Sequence, residues 1–97
     1  MPLRSDVRKA LKGIKTQSVA LDVLYRTAQR GELPYEIVAI TYGIQYALDT
    51  QRLPGKVDWE VQQLNAQETG RLVVDLLETG LDSAADVPRA IIAKFTQ

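Results

Sequence analysis

The chain has 97 residues, of which 45% are apolar and 25% are charged, and its formal net charge is zero. This composition excludes a disordered chain, and the length favours one core, so we predict a single helical domain over residues 1–97. The absence of cysteine excludes a disulfide framework and a thiolate metal site. Residues 1–11 lack the continuous apolar core of a signal peptide, and no apolar run reaches the about 20 residues that cross a bilayer. We therefore expect a cytoplasmic protein that does not span a membrane.

The segment from Ser5 to Arg30 carries apolar residues at steps of three and four, the period of an amphipathic helix. This stripe consists of Val7, Leu11, Ile14, Leu21, Tyr25 and Ala28. We predict one continuous helix over the segment. Gly13 and Thr16 leave open a break into two helices, because glycine costs about 1 kcal/mol relative to alanine inside a helix.

Gly31 and Pro34 are typical of a helix end followed by a helix start. We predict a second helix from about Pro34 to Thr50, followed by a turn over residues 53–55. The aliphatic stripe of this second helix contains Ile37, Ile40, Ile44 and Leu48.

The second half of the chain predicts further short helices. Val57, Val61 and Leu64 indicate a third helix with Asp58 as its N-terminal cap. Asn65 and Glu68 have the spacing of a capping box for a fourth helix that ends before Gly80. Its predicted core face contains Leu72, Val73, Leu76 and Leu77. Pro88 favours a last helix through Phe95, although Ser83 and Asp86 also have capping-box spacing. With no alternating strand pattern, we predict an all-α, compact bundle of four to five helices with short turns.

The residue types needed for most enzymatic mechanisms are missing. Histidine is absent, and the six glycines are isolated, so the chain lacks the commonest general base and a phosphate-binding glycine loop. The closely spaced carboxylate pairs are Asp58 with Glu60, Glu32 with Glu36, and Asp82 with Asp86. We interpret these pairs as solvated acids of helix starts. We predict no catalytic residues, no metal and no cofactor.

The second predicted helix carries a second apolar side opposite its aliphatic stripe. At about 100° per residue, this side gathers Tyr35, Ala39, Tyr42, Gly43 and Tyr46, which we call the tyrosine face. A helix that is apolar nearly all round is buried on both sides. Either the domain itself covers this face or a second copy or another protein does, and tyrosine is enriched at such interfaces. We predict the tyrosine face as a protein-binding site.

The N-terminal segment carries a basic side. Met1 to Arg30 contains seven Lys and Arg against two Asp, whereas the rest of the chain has five basic and ten acidic residues. On a continuous helix, six of the basic side chains share about a quarter of the circumference. We call them the basic ridge: Arg4, Arg8, Lys12, Lys15, Arg26 and Arg30. Val19 and Val23 fall within or beside the ridge, which indicates a contact site or a helix break near Gly13.

These features favour a noncatalytic adaptor, regulator or assembly component that binds proteins through its helix faces and self-associates as a homodimer. The first alternative is a nucleic-acid-binding protein whose basic ridge contacts phosphates. The second alternative is a small all-α enzyme that stabilises a polar transition state with Arg and Glu side chains.

Overall fold

Six α-helices and one 3-10 turn make up residues 3–96, the part of the chain that the computed structural model describes. The helices are α1 (Leu3–Ala10), α2 (Gln17–Gln29), α3 (Glu36–Asp49), α4 (Gly55–Gln62), α5 (Ala66–Glu78) and α6 (Val87–Phe95), and the 3-10 turn is Ala84–Asp86. No strand occurs within these residues, which confirms the all-α class. The Cα radius of gyration is 12.2 Å, close to the about 12.5 Å expected for a folded chain of this length. The predicted number of four to five helices was too low.

The additional helix arises because the N-terminal segment breaks at Gly13. This glycine has a φ of +82°, in the left-handed region that glycine enters without the steric cost of a Cβ. The chain turns there, and the Ile14 N–H donates to the Leu11 carbonyl at 2.9 Å. The predicted continuous helix from Ser5 to Arg30 is therefore wrong. The three- and four-residue steps persist because α1 and α2 both place an apolar side on the core.

The start of α4 differs from the prediction. Pro54 precedes the first helical residue, Gly55, and the Asp58 N–H donates to the Pro54 carbonyl at 2.7 Å. Asp58 lies inside the helix and is not its cap, so that prediction is wrong. The Oδ1 atom of Asp58 is buried and has no hydrogen-bond partner within residues 3–96. The preference of aspartate for cap positions was outweighed by the turn at Leu53 to Gly55, which begins the helix earlier.

The start of α5 follows the predicted capping box. The Glu68 N–H donates to Asn65 Oδ1 at 2.8 Å, and the Asn65 N–H donates to Glu68 Oε1 at 2.9 Å. Both bonds satisfy N–H groups that have no partner inside the helix. At the other end, Gly80 has a φ of +87° just beyond the helix. Leu72, Val73 and Leu76 are buried as predicted, and Leu77 is half-buried.

Helix α3 lies at the centre of the fold. It packs against α2, α5, α6 and the 3-10 turn. Ile37, Ile40 and Ile44 are fully buried, and Leu48 is nearly so. Burial of each such side chain contributes about 1.5–3 kcal/mol relative to exposure. The aliphatic stripe predicted from the sequence is thus the central part of the core.

Ion pairs on α5 hold the first and last helices in place. Asp75 accepts a hydrogen bond from Arg4 of α1 at 2.9 Å and lies 3.0 Å from Lys94 Nζ of α6. Arg4 also contacts Glu78 at 3.2 Å. Partial burial raises the pKa of Asp75, but the hydrogen bonds from Lys94 and Arg4 and their charges outweigh it, so the net pKa lies below its ordinary value. Asp75 therefore links α1, α5 and α6.

Candidate functional site

The most unusual surface of the molecule is the outer side of α3. At about 100° per residue, positions 35, 39, 42 and 46 fall on one arc of about 60° of the helix circumference. Tyr35, Tyr42 and Tyr46 lie on this arc and are 71%, 55% and 44% exposed. Ala39 lies between them and is half-buried. Exposed single apolar residues are common, but three exposed tyrosines on one helix face are an unusual cluster, which makes this face a candidate binding surface. We call Tyr35, Ala39, Tyr42 and Tyr46 the exposed stripe.

Two of the tyrosines form a stacked pair. The ring centroids of Tyr42 and Tyr46 are 6.2 Å apart and their planes differ by 10°. The Arg52 guanidinium lies 5.4 Å from the Tyr46 ring centroid, and its Nη2 donates to the Tyr46 hydroxyl at 3.3 Å. These contacts join the two rings and Arg52 into one cluster at the C-terminal end of α3. Arg52 was not among the residues singled out in the sequence, because it follows the end of α3.

Gly43 belongs to the predicted tyrosine face but not to the exposed stripe. It is buried, and a Cβ built on it would lie 2.5 Å from Val87 Cγ2 and 2.9 Å from the Ala84 carbonyl oxygen. A glycine at this position lets another segment approach the helix backbone closely. That approach takes place within the chain, because α6 and the 3-10 turn cover Gly43. The domain therefore covers one edge of the tyrosine face and leaves the rest exposed.

A shallow groove borders the exposed stripe where α2 and α3 meet. It encloses about 170 Å³, and Leu21, Tyr25 and Thr41 line it together with Tyr42. Ser18, Asp22 and Gln45 complete its wall. The sequence placed Tyr25 on the core stripe of the first predicted helix. The structure leaves it half-buried, with its ring beside the groove. Tyr25 thus extends the aromatic surface sideways from α3 onto α2.

Further apolar side chains are exposed away from this surface. Trp59 of α4 is 65% exposed and Val19 of α2 is 47% exposed. The sequence did not single out Trp59, since its position on a short helix carries no periodic signal. Val19 had been noted because it fell within the basic ridge. In the structure it lies on the outer side of α2.

The basic ridge is divided by the break at Gly13. Arg4 and Arg8 lie on α1, Lys12 and Lys15 lie in the following turn, and Arg26 and Arg30 lie on or next to the end of α2. Three of the six residues have acidic partners. Arg4 contacts Asp75 and Glu78, Arg26 contacts Asp22 at 3.0 Å, and Arg30 contacts Glu32 at 3.4 Å.

The other three ridge residues are Arg8, Lys12 and Lys15, which are exposed and have no acidic partner within 4.0 Å among residues 3–96. Surface pairs such as that of Arg26 contribute at most about 1 kcal/mol, but they lower the positive potential that attracts phosphates. The ridge is therefore reduced to a basic group at α1 and its turn.

Comparison of the chain with protein-family models, curated proteins and solved structures gives no match. No helix within residues 3–96 has the length and apolar character needed to cross a lipid bilayer.

Proposed function

We propose that this chain is a noncatalytic protein-binding domain that associates with a second copy of itself through the exposed stripe of α3. The single observation that supports this proposal is the exposure of Tyr35, Tyr42 and Tyr46 on one side of a helix whose opposite side is buried. Large exposed aromatic side chains cost free energy in water. Burial of such rings, with their hydroxyl groups at the rim, is how tyrosine contributes to interfaces.

The size of the exposed stripe favours a weak and reversible dimer. From their exposed fractions, the three tyrosines offer roughly 300–400 Å² of surface, given the 150–250 Å² that a buried aromatic side chain removes from water. A standard interface buries about 800 Å² on each partner. The stripe thus supplies about half of that area, and the groove beside Tyr25 and Tyr42 supplies more. We expect association in the micromolar range.

The shape of the exposed stripe favours a second copy as the occupant. Ala39 is a small residue between Tyr35 on one side and the Tyr42–Tyr46 pair on the other. When two α3 helices pack antiparallel about a two-fold axis near Tyr42, the Tyr46 ring of each copy lies over Ala39 of the other. Such an isologous contact satisfies both copies at once.

The charges at the ends of α3 favour the same antiparallel arrangement. Glu36 lies in the first turn and Arg52 lies just beyond the last turn, and neither forms an ion pair within residues 3–96. Antiparallel packing brings Arg52 of each copy toward Glu36 of the other, whereas parallel packing brings like charges together. Asp49, also at the C-terminal end, accepts a hydrogen bond from its own Gln45 at 3.0 Å. Charge complementarity of this kind sets orientation more than affinity.

The proposal is tested by sedimentation equilibrium and light scattering from about 1 µM to about 1 mM protein. The parent should pass from monomer to dimer within this range. Tyr42→Asp and Tyr46→Ala should shift the transition to higher concentration while circular dichroism shows an unchanged helix content. Trp59→Ala is the matched control, because it removes an exposed aromatic ring that lies outside the stripe. A parent that stays monomeric throughout, or a dimer weakened by Trp59→Ala alone, contradicts the proposal.

The orientation is tested separately by charge exchange. Glu36→Arg and Arg52→Glu should each weaken the dimer, and the double variant should restore it, because the pair is rebuilt with reversed signs.

We further propose that the chain acts in the cytoplasm and without catalysis. The lack of cysteine supports the location, and the lack of histidine supports the absence of catalysis.

A further inference from the structure

A basic cleft lies between α1 and α5, on a different surface from the exposed stripe. It encloses about 180 Å³, and the side chains of Arg4, Arg8 and Arg71 line it. The two helices meet closely there, because α5 has Gly70 at the crossing. A Cβ at this position would lie 2.6 Å from Leu11 Cδ1 and 3.0 Å from Val7 Cγ1. The residues at the bottom of the cleft are therefore small or apolar, and the charged side chains lie along its sides.

The charges of the cleft do not balance. Arg4 is neutralised by Asp75 and Glu78. Arg8 and Arg71 are exposed and have no acidic partner within 4.0 Å among residues 3–96. Glu68 is the one acidic residue of the lining, and its Oε1 already accepts the N–H of Asn65. Arg8 and Arg71 thus line one cleft in which Glu68 is the single carboxylate, and an anion that binds there reduces the repulsion between the two arginines.

The chemistry of the walls selects the type of anion. Guanidinium groups present pairs of N–H donors in a planar fork that matches the oxygen atoms of phosphate. Gln67, also in the lining, adds an amide group. The volume is below the about 300 Å³ of ordinary small-molecule pockets, so the cleft accommodates a single charged group. We infer that the cleft binds a phosphate group through Arg8 and Arg71.

Such a phosphate group has two possible sources, a small phosphorylated molecule and the backbone of a nucleic acid. Lys12 and Lys15 distinguish them, because both are exposed in the turn beyond α1 and neither lines the cleft. A small molecule requires the cleft alone. A polyanion also contacts the lysines beyond it, and its affinity then falls steeply with added salt.

The inference is tested by NMR titration of the full chain with inorganic phosphate up to about 50 mM, at an ionic strength held constant with sodium chloride. The amide signals of Arg8, Gln67 and Arg71 should shift in a saturable way. Arg8→Gln and Arg71→Gln should each raise the Kd about tenfold, the usual loss for one charge-assisted hydrogen bond. Arg8→Lys and Arg71→Lys, which retain the charge but lose the fork, should have a smaller effect.

Two further variants provide matched controls. Glu68→Gln should lower the Kd severalfold, because it removes the one carboxylate of the lining while glutamine preserves the capping box with Asn65. Arg89→Gln removes the same charge from an exposed arginine outside the cleft and should leave the Kd unchanged. All the substituted positions are exposed helix positions, and thermal melts verify that each variant is folded. If Arg89→Gln weakens binding as much as Arg8→Gln, or if the signals do not saturate, the inference is wrong.

A second titration uses a DNA duplex of about ten base pairs at low salt. Binding that is tighter than that of phosphate, and that Lys12→Gln and Lys15→Gln weaken, assigns the phosphate to a nucleic acid backbone. Binding that is no tighter than that of phosphate and is insensitive to both lysines assigns it to a small molecule. Either result supports the cleft when Arg8→Gln and Arg71→Gln also weaken binding. A duplex that binds with equal affinity to the parent and to both arginine variants contradicts it.

Discussion

Tyr42 and Gly43 are neighbours in α3, but they lie in opposite environments. Gly43 is buried beneath Val87 and the Ala84 carbonyl, whereas Tyr42 is 55% exposed. Both belong to the tyrosine face, the second apolar side of α3. The difference between them shows that α6 and the 3-10 turn cover only one edge of this side. The other part stays exposed.

The largest effect is expected at the covered edge, for Gly43→Ala. Alanine gains about 1 kcal/mol of helix propensity over glycine, but the new Cβ would lie within 3 Å of Val87 and of a backbone oxygen that cannot rotate away. We expect a net loss of about 2 kcal/mol in the free energy of unfolding, measured by urea denaturation. Gly55→Ala is the control, since nothing lies within 4 Å of its Cβ position and its stability should not fall. Equal stability of the Gly43→Ala variant and the parent would show that α6 does not pack as described.

The open part of the face should respond in the opposite way to Tyr42→Ala. This change removes one ring of the stacked pair, so the dimer should weaken at least about tenfold. The free energy of unfolding of the monomer should change by less than about 1 kcal/mol, because the ring is already more than half exposed. Dilution light scattering and urea denaturation at low protein concentration measure the two quantities. A large loss in the free energy of unfolding would mean that the Tyr42 ring contributes to the core of the monomer.

The comparison depends on where α3 ends, which Gln51→Gly tests. Gln51 has a φ of +56° directly after the helix, a left-handed conformation in which glycine is favoured. We expect a gain of about 0.5–1 kcal/mol in stability and an unchanged dimer. Ala93→Gly places a glycine in the ordinary helical backbone of α6 and should cost about 1 kcal/mol instead. If Gln51→Gly also destabilises the protein, the left-handed end of α3 is not formed.

The smallest effect concerns the ion pairs that hold α6 in place over Gly43. Because the pKa of Asp75 is lowered in the folded state, its pairs with Arg4 and Lys94 stabilise the fold above the ordinary pKa of 3.8. This contribution is lost as the pH falls below that value and the carboxylate becomes protonated. Asp75→Asn should therefore lower the Tm at pH 7 by an amount worth less than about 1 kcal/mol, and the difference from the parent should shrink near about pH 3. A difference that persists at low pH would mean that packing, and not charge, accounts for the role of Asp75.

Local signals allowed much of the fold to be predicted. The Asn65 and Glu68 capping box acts within four residues, and the glycines at positions 31 and 80 end helices by their own backbone freedom. The isoleucines of α3 repeat with the helical period and form the core. In each case the physical cause lies within a turn or two of the residue itself, so the sequence displays it.

The wrong or missing predictions depend on contacts between residues that are distant in the sequence, or on alternatives that give nearly the same sequence pattern. The coverage of Gly43 depends on Ala84 and Val87, more than forty residues later, and no local pattern marks that contact. The break at Gly13 was underestimated because two helices and one helix give nearly the same apolar repeat. The cleft between α1 and α5 was missed because Arg71 joins Arg8 only through tertiary packing. The tyrosine face was predicted as one surface that included Gly43, since periodicity cannot distinguish which part of that side the rest of the chain covers.

Val87 occupies the space that a side chain at position 43 would need, although the two positions are far apart in the sequence. A larger side chain at position 43 leaves no space for valine at position 87, so divergence at one position requires a compensating change at the other. In diverged relatives of this chain, a larger residue at position 43 should therefore occur together with a smaller residue at position 87. If the proposed dimer forms, positions 35, 42 and 46 should change together with the residues that they contact in the second copy. Covariation of positions 43 and 87 would show that the packing of α6 on α3 is preserved, and covariation of the tyrosine positions would show that the dimer contact is preserved.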